Sequence, residues 1–291
     1  MKLDFYLRNG GIKMRVKAFN DLKRIGDDKV TAIGMGTWGV GGWETPDYSK
    51  DKEHIEALRY GLELGINLID TAEFYASGHS EELVGKAIEG FEREDIFIVS
   101  KIWPTHFGYE SAKKAARASA KRLGTYIDLY LLHWPTEDFR KIEETLHALE
   151  ELVDEGLIRY VGVSNFDLEL LKRSQEVMRK YEIVVNQVKY SLKDRRPEES
   201  GLLEYMRKEG ITLMAYTPLE KGSLARNSCL AEIGKRYGKT AAQVALNWLI
   251  WKENVVAIPK ATNKEHIKEN FGAMGWRLSK EDYEKALECV R

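Results

Sequence analysis

Four side chains of this 291-residue chain stand where apolar strands are expected to end, and their types can do chemistry together: Asp70, Tyr75, Lys101 and His133. Asp70 closes the run Ile66–Asp70, and Tyr75 follows it in the loop TAEFYASG. Lys101 closes Ile96–Lys101, and His133 closes Ile127–His133. A buried ammonium is costly unless a carboxylate pairs with it, so Lys101 and Asp70 are expected as partners. A free phenol loses its proton only at about pH 10. A neighbouring ammonium favours phenolate, so Lys101 is expected to lower the pKa of Tyr75. A neutral His133 can donate a hydrogen bond that orients a substrate carbonyl. A polarised proton donor beside a carbonyl slot is what reduction needs when hydride arrives from elsewhere. Each residue alone has a duller role: turn or cap for Asp70, surface charge for Lys101, rim packing for Tyr75, a satisfied structural imidazole for His133. Three of them at successive strand ends, with Tyr75 in the loop after the first, point to a site.

The elements that position them alternate. Strand-like runs rich in Val, Ile and Leu fall at Thr31–Thr37, Ile66–Asp70, Ile96–Lys101, Ile127–His133, Ile158–Ser164, Val184–Tyr190, Ile211–Tyr216 and Val255–Pro259. Such runs read as strands buried on both faces. Amphipathic stretches such as DKEHIEALRYGLELG, SAKKAARASAKRLG and RKIEETLHALEELVDEG lie between them and end at Gly, a common helix stop. Eight strand–helix units imply parallel pairing with right-handed crossovers and fit one closed (β/α)8 barrel, a TIM barrel of the α/β class. The chemistry of such a barrel sits at the C-terminal ends of its strands. Residues 16–30 read as a β-hairpin turned at Gly26, Asp27 and Asp28 ahead of the first barrel strand, and an extra helix is expected at the C-terminus. The expected organisation is a loosely ordered extension over 1–15, with Met14 as an alternative start, and a single domain over 16–291.

Composition narrows the function. With 45 basic and 46 acidic residues interspersed, the chain lacks the basic field of a nucleic-acid binder. No run approaches the roughly 18 apolar residues of a membrane span, and the charged start MKLDFYLRNGG lacks a signal segment. A cytoplasmic protein is expected. Cys229 and Cys289 form no metal spacing, and in a reducing compartment no disulfide is expected between them. The six histidines show no ligand spacing, so no metal is expected. A charged fraction of 31% with only three Gln leans towards thermophile composition.

One motif points elsewhere at first sight. GMGTWG, Gly34–Gly39, matches the G-x-G-x-x-G of a dinucleotide-binding turn. That turn works only when a helix opens directly after it, so that the helix N-terminus meets the pyrophosphate. Here VGGWETPDYSKD follows, and helical periodicity begins only near Lys50. The motif is expected to be a strand end and loop at the barrel mouth.

In its order and spacing of motifs the chain resembles the aldo-keto reductase family. The resemblance is carried by GMGTW, NLIDTAEFY, IVSKIW, DLYLLHWP, GVSNF, NQVKYS, AYTPL and IPKATNKEHIKEN, and it runs from the hairpin to the last helix. It implies a catalytic tetrad at Asp70, Tyr75, Lys101 and His133 and a nicotinamide cofactor extended across the mouth. Ser164, Asn165 and Gln187 would hold its carboxamide, and Tyr216 would stack on its ring. Thr37, Trp38 and Asp70 would also meet the cofactor. The segment Thr217–Ser223, with Leu219, would approach the pyrophosphate. Lys260, Ala261, Thr262 and His266 would surround the adenosine 2′-phosphate, with Glu269 and Asn270 at the adenine. Trp38, Tyr75, Trp103, His133 and Trp134 would line the substrate.

The chain departs from the family pattern at two of these positions. Ala261 stands where many members have Ser, and His266 where NADP-preferring members have Arg. Arginine is always charged and forks onto phosphate, whereas histidine near neutrality is mostly uncharged. Lys260 keeps NADPH as the expected first cofactor, with NADH as a second. The expected function is NAD(P)H-dependent reduction of small aldehydes and ketones. The alternative is an NADP(H)-binding sensor barrel that acts through a protein partner and turns over slowly. Oligomeric state is not legible.

Overall fold

The short aliphatic runs do form strands, and each lies beside its neighbour in the sequence. The computed structural model describes residues 5–8, 11–16, 21–260 and 262–290, with residues 5–8 and 11–13 as backbone only. Eight parallel strands follow one another in chain order: Met35–Gly36 (β1), Leu68–Asp70 (β2), Phe97–Ile102 (β3), Ile127–Leu132 (β4), Ile158–Ser164 (β5), Ile183–Lys189 (β6), Thr212–Tyr216 (β7) and Val255–Ala257 (β8). The ring closes through bridges from Ile33 to Ala257 and from Gly36 to Lys260. There the Gly34 N–H donates to Ala257 O at 2.8 Å and the Gly36 N–H to Pro259 O at 3.0 Å. A Cβ on Gly36 would lie 2.8 Å from the Ile258 carbonyl oxygen. The second glycine of GMGTWG is thus a seam in the barrel wall.

The first barrel strand is much shorter than the run Thr31–Thr37, because Thr31 belongs to a hairpin. Leu22–Ile25 pairs antiparallel with Asp28–Thr31 across a two-residue turn at Gly26 and Asp27. Ile25 and Val30 of that hairpin are buried against Leu68, Phe97, Val99, Leu129, Leu131, Val185 and Met214. The hairpin therefore plugs one end of the barrel. The other strands match their expected spans to within a few residues, β8 ending at Ala257 rather than Pro259.

Outside the strands lie Asp51–Leu64 (α1), His79–Ile88 (α2), Tyr109–Leu123 (α3), Phe139–Asp154 (α4), Leu168–Glu176 (α5), Leu202–Lys208 (α6), Ser228–Lys235 (α7), Ala241–Ile250 (α8), Lys264–Phe271 (α9) and the extra C-terminal Lys280–Glu288 (α10). Their apolar faces pack on the outward side chains of the strands in a second, larger core. The backbone of Phe5–Arg8 pairs with Gly11–Met14 in a further hairpin, and Met14 is joined to Gly90 and Glu92 by backbone hydrogen bonds. No helix among the described residues is long and apolar enough to cross a membrane.

One expectation is overturned. Cys229, in the first turn of α7, and Cys289, just past α10, form a disulfide with Cα atoms 5.4 Å apart. Their sequence separation of 60 says nothing about their proximity, which arises only when α10 folds back beside α7. The Asn227 side chain also donates to the Cys289 carbonyl at 3.0 Å.

Candidate active site

Side chains alternate along a strand, so those that fill the barrel interior continue in register up to the mouth. Leu68 is followed two residues on by Asp70, Phe97 and Val99 by Lys101, Leu129 and Leu131 by His133, and Val185 by Gln187. The apolar residues of each row belong to the inner core. The next member is polar. The site is thus the top layer of the same rows that build the barrel.

In that layer the Lys101 ammonium is fully buried and donates to three acceptors: Asp70 at 2.9 Å, the Thr71 carbonyl at 2.8 Å and the Tyr75 hydroxyl at 3.0 Å. Gln187 Nε2 donates to the other Asp70 oxygen at 2.7 Å. Burial works against the ammonium, yet the Asp70 carboxylate and the Tyr75 hydroxyl raise the Lys101 pKa above its ordinary value. With all three of its N–H bonds accepted, Lys101 stands as a charged partner of Asp70. The carboxyl of Asp70 is itself pushed up by burial, against the pull of Lys101 and Gln187.

The phenol behaves differently from the sequence expectation. Burial raises the Tyr75 pKa, and Lys101 offsets only part of that rise. In a dry site the loss of phenolate hydration outweighs one nearby positive charge. Tyr75 is accordingly held as O–H, the form a proton donor must have. His133 matches its expectation: burial first, then the Lys101 charge, lower its pKa to about 2, so the ring is neutral. Its Nδ1 is buried without a partner. Buried polar atoms are nearly always satisfied, and an orphan at a mouth marks a place for a ligand.

The other expected cofactor residues fall into two groups. Ser164 and Asn165 follow one another at the end of β5. Ser164 Oγ donates to the Gln187 carbonyl at 2.9 Å. Asn165 Nδ2 donates to the His133 carbonyl and to Ser164 Oγ, both at 3.1 Å. The Tyr216 hydroxyl donates to Asn165 Oδ1 at 2.8 Å, tethering its ring at the end of β7. Thr37 is buried, with Ser80 Oγ donating to its hydroxyl at 2.9 Å and its own N–H donating to Asp70 O at 3.0 Å. Across the mouth, Thr217, Glu220 and Lys221 hold left-handed backbone in the loop after β7, with Leu219 half-buried between them. Ser191 and Lys189 hold the Glu220 carboxylate of that loop at 2.7 and 3.1 Å.

The second group is looser. Lys260 is exposed, and its Nζ lies 4.3 Å from the centre of the Trp43 ring. Asn270 Nδ2 reaches the Lys260 carbonyl at 3.5 Å, and Glu269 and Thr262 are half-buried beside it in sequence. His266 is exposed, with its Nδ1 3.1 Å from Asn263 Nδ2. Ala261 lies outside the described residues.

Of the expected substrate wall, Trp38 stands edge-on to Tyr75 with ring centres 5.0 Å apart, and Trp103 edge-on to His133 at 5.2 Å. Trp134 is 44% exposed and makes none of the ring contacts of this cluster. Sequence reasoning missed Phe74, which stacks on Trp103 at 4.0 Å and lies over Trp38 at 6.2 Å. Its position directly before Tyr75 was the available signal. It also missed Glu73, whose carboxylate accepts from the Trp103 N–H at 2.6 Å and meets His106 Nδ1 at 2.9 Å. Asn263 was missed too; its side chain accepts from the His266 N–H at 2.9 Å and caps α9. That Asn, three residues before His266 at the start of a helical pattern, is a cap signature.

A closed (β/α)8 barrel with a buried ammonium–phenol contact beside a neutral imidazole at its mouth suits an oxidoreductase that supplies a proton to a carbonyl. The model of the aldo/keto reductase family matches residues 32–291, and the chain belongs to that family. It is an NAD(P)H-dependent carbonyl-reducing oxidoreductase of this class. It is 40% identical over 260 residues to a methylglyoxal reductase, YeaE, of Escherichia coli (strain K12), covering 87% of this chain and 89% of that one. Among solved structures it is similar to the thermostable aldo-keto reductase Tm1743 bound to the inhibitor epalrestat, with a TM-score of 0.88, 48% identity and coverage of 94% and 100%. It is also similar to an aldo/keto reductase of Klebsiella pneumoniae in complex with NADP and acetate, with a TM-score of 0.84, 37% identity and coverage of 92% and 94%.

Proposed function

We propose that this chain reduces small aldehydes and ketones, short dicarbonyls of the methylglyoxal kind among them, with NADPH as its preferred cofactor and NADH as a second. The observation that carries the reading is the Lys101 Nζ to Tyr75 hydroxyl contact of 3.0 Å inside the barrel, anchored by Asp70. When bound, the nicotinamide supplies the hydride. Tyr75 holds the proton that the carbonyl oxygen takes up, and Lys101 stabilises the phenolate left behind. Asp70 keeps Lys101 charged and in place. His133, neutral, directs a ring N–H at the carbonyl oxygen. The wall of Trp38, Phe74 and Trp103 excludes water and gives broad apolar contact with little stereochemical detail.

The residues present suit the cofactor. Ser164, Asn165 and Gln187 form the donor and acceptor set an amide needs, Tyr216 offers a ring face, and His133, whose Nδ1 is unpartnered, stands against Tyr75 and Trp103. Lys260 would supply the cation for a 2′-phosphate, with His266 and the N-terminus of α9 nearby in sequence. Thr217 and Leu219 flank the path between the two ends. A cytoplasmic setting goes with this cofactor, and disulfides such as Cys229–Cys289 do occur inside thermophile cells.

The test follows NADPH absorbance with methylglyoxal and with an activated aromatic aldehyde, comparing wild type with Tyr75→Phe. Consumption by wild type alone supports both the reduction and its acid. Binding of NADPH without consumption by either protein would favour a sensor barrel instead.

A further inference from the structure

Trp43 is a residue that the reaction does not use. It sits in the loop after β1, 55% exposed, as one of several large hydrophobic side chains at the surface. Its backbone is nonetheless fixed. Its carbonyl accepts the Ala76 N–H at 2.6 Å, so the loop is pinned to the turn that carries Tyr75, and Ser77 Oγ donates to the next carbonyl, that of Glu44, at 2.8 Å. The Trp43 ring meets Trp38 edge-on at 5.4 Å. Its face is taken by the Lys260 ammonium.

That contact directs Lys260 across the barrel seam towards the β1 loop. A Cβ built on Gly39 would lie 3.0 Å from Lys260 Nζ and 3.2 Å from Trp43, and Gly39 has a φ of +91°. The third glycine of GMGTWG thus leaves room for the lysine to fold back over the loop. No carboxylate pairs with Lys260 among the described residues, partial desolvation lowers its pKa, and its ammonium lies over the Trp43 ring face. By contrast, Lys264 on α9 is paired with Glu56 at 3.1 Å.

We propose that Trp43 is a cofactor-selectivity residue: it holds the Lys260 ammonium over its ring, and the adenosine 2′-phosphate of NADPH has to win the lysine from it. This rests on the reading of Lys260 as the phosphate-binding cation. NADH, lacking that phosphate, leaves the contact in place. Trp43 therefore narrows the preference for NADPH over NADH, in the same direction as His266 in place of arginine.

A surface cation–π contact of roughly 0.5–1 kcal/mol corresponds to about two- to five-fold in affinity. Dissociation constants for NADPH and NADH are to be measured calorimetrically on wild type, Trp43→Leu, Trp43→Phe, Lys260→Met and the Trp43→Leu/Lys260→Met double variant. The expected result is NADPH binding about two- to five-fold tighter in Trp43→Leu, with NADH unchanged and a smaller gain in Trp43→Phe, whose ring keeps a weaker face. The gain should vanish in the Lys260→Met background. Weaker NADPH binding in Trp43→Leu, no change, or an equal shift for both cofactors overturns the proposal, because Trp43 would then be a wall of the groove and not a competitor. If Lys260→Met leaves NADPH binding unchanged, the phosphate reading itself falls and the proposal with it. If Lys260→Met weakens NADPH while Trp43→Leu changes nothing, only the role of Trp43 fails.

Discussion

The two ends of the cleft are built by different rules. At the end where Tyr75 lies, Asp70, Lys101, Gln187, Ser164 and Asn165 are joined by hydrogen bonds of 2.7–3.1 Å, and the first four are buried. At the other end Lys260 and His266 are exposed, held by an aromatic face and by a single side-chain contact. The first end is organised before any ligand arrives, as proton transfer in a dry site requires, since groups that must reorganise during reaction lose much of their electrostatic advantage. In the proposed reading the second end has only to bind, and exposed side chains with few fixed partners suit that purpose. The difference shows where substitutions should be severe and where they should be graded.

Tyr75→Phe should produce the largest effect. Loss of a positioned acid typically lowers rate by about 10²–10⁴-fold. NADPH affinity should stay close to wild type, because the phenol is held by Lys101 and not by the cofactor-binding groups. Stopped-flow reduction beside a binding titration checks both, and a large loss of affinity would show that the two ends are not separable.

Lys101→Met comes next. It leaves Asp70 in the barrel without its cation, a loss expected at about 3–5 kcal/mol of stability. Adding Asp70→Asn should restore much of it without restoring turnover. Denaturant unfolding of the single and double variants gives the comparison; a double variant as unstable as the single would mean that packing around the lysine stem, not charge, holds the layer together.

The neutral His133 gives a pH signature. Its folded pKa of about 2 lies below that of an exposed histidine, about 6.5, so the unfolded chain binds the extra proton. The stabilisation of the neutral ring is fully present above about pH 6.5 and is lost as pH falls towards 2. By pH 5 the loss should be about 2 kcal/mol from this group. His133→Gln should flatten that part of the stability profile, and an unchanged slope would place the acid sensitivity elsewhere.

The smallest effect belongs to the looser end. His266→Arg should favour NADPH over NADH by about 1–2 kcal/mol, one charge-assisted hydrogen bond. Steady-state kcat/KM with each cofactor reads it, and an unchanged ratio means that this position does not meet the phosphate.

Much of this was legible in the chain. Short aliphatic runs alternating with amphipathic stretches fixed a parallel barrel, because both-face burial and 3.6-residue periodicity are local properties. Polar residues at the ends of those runs named Asp70, Lys101 and His133, because a charge closing an apolar strand demands a partner. What local pattern could not give was proximity and its balance of forces. Trp43 meeting Lys260, Phe74 lying on Trp103 and Glu73 holding the Trp103 backbone join residues on different loops, and no spacing announces them. The Cys229–Cys289 bridge appears only once α10 lies beside α7. The state of Tyr75 likewise depended on depth: the sequence supplies the lysine that favours phenolate, but only the closed barrel sets how much water the phenol loses, and that loss decides the sign.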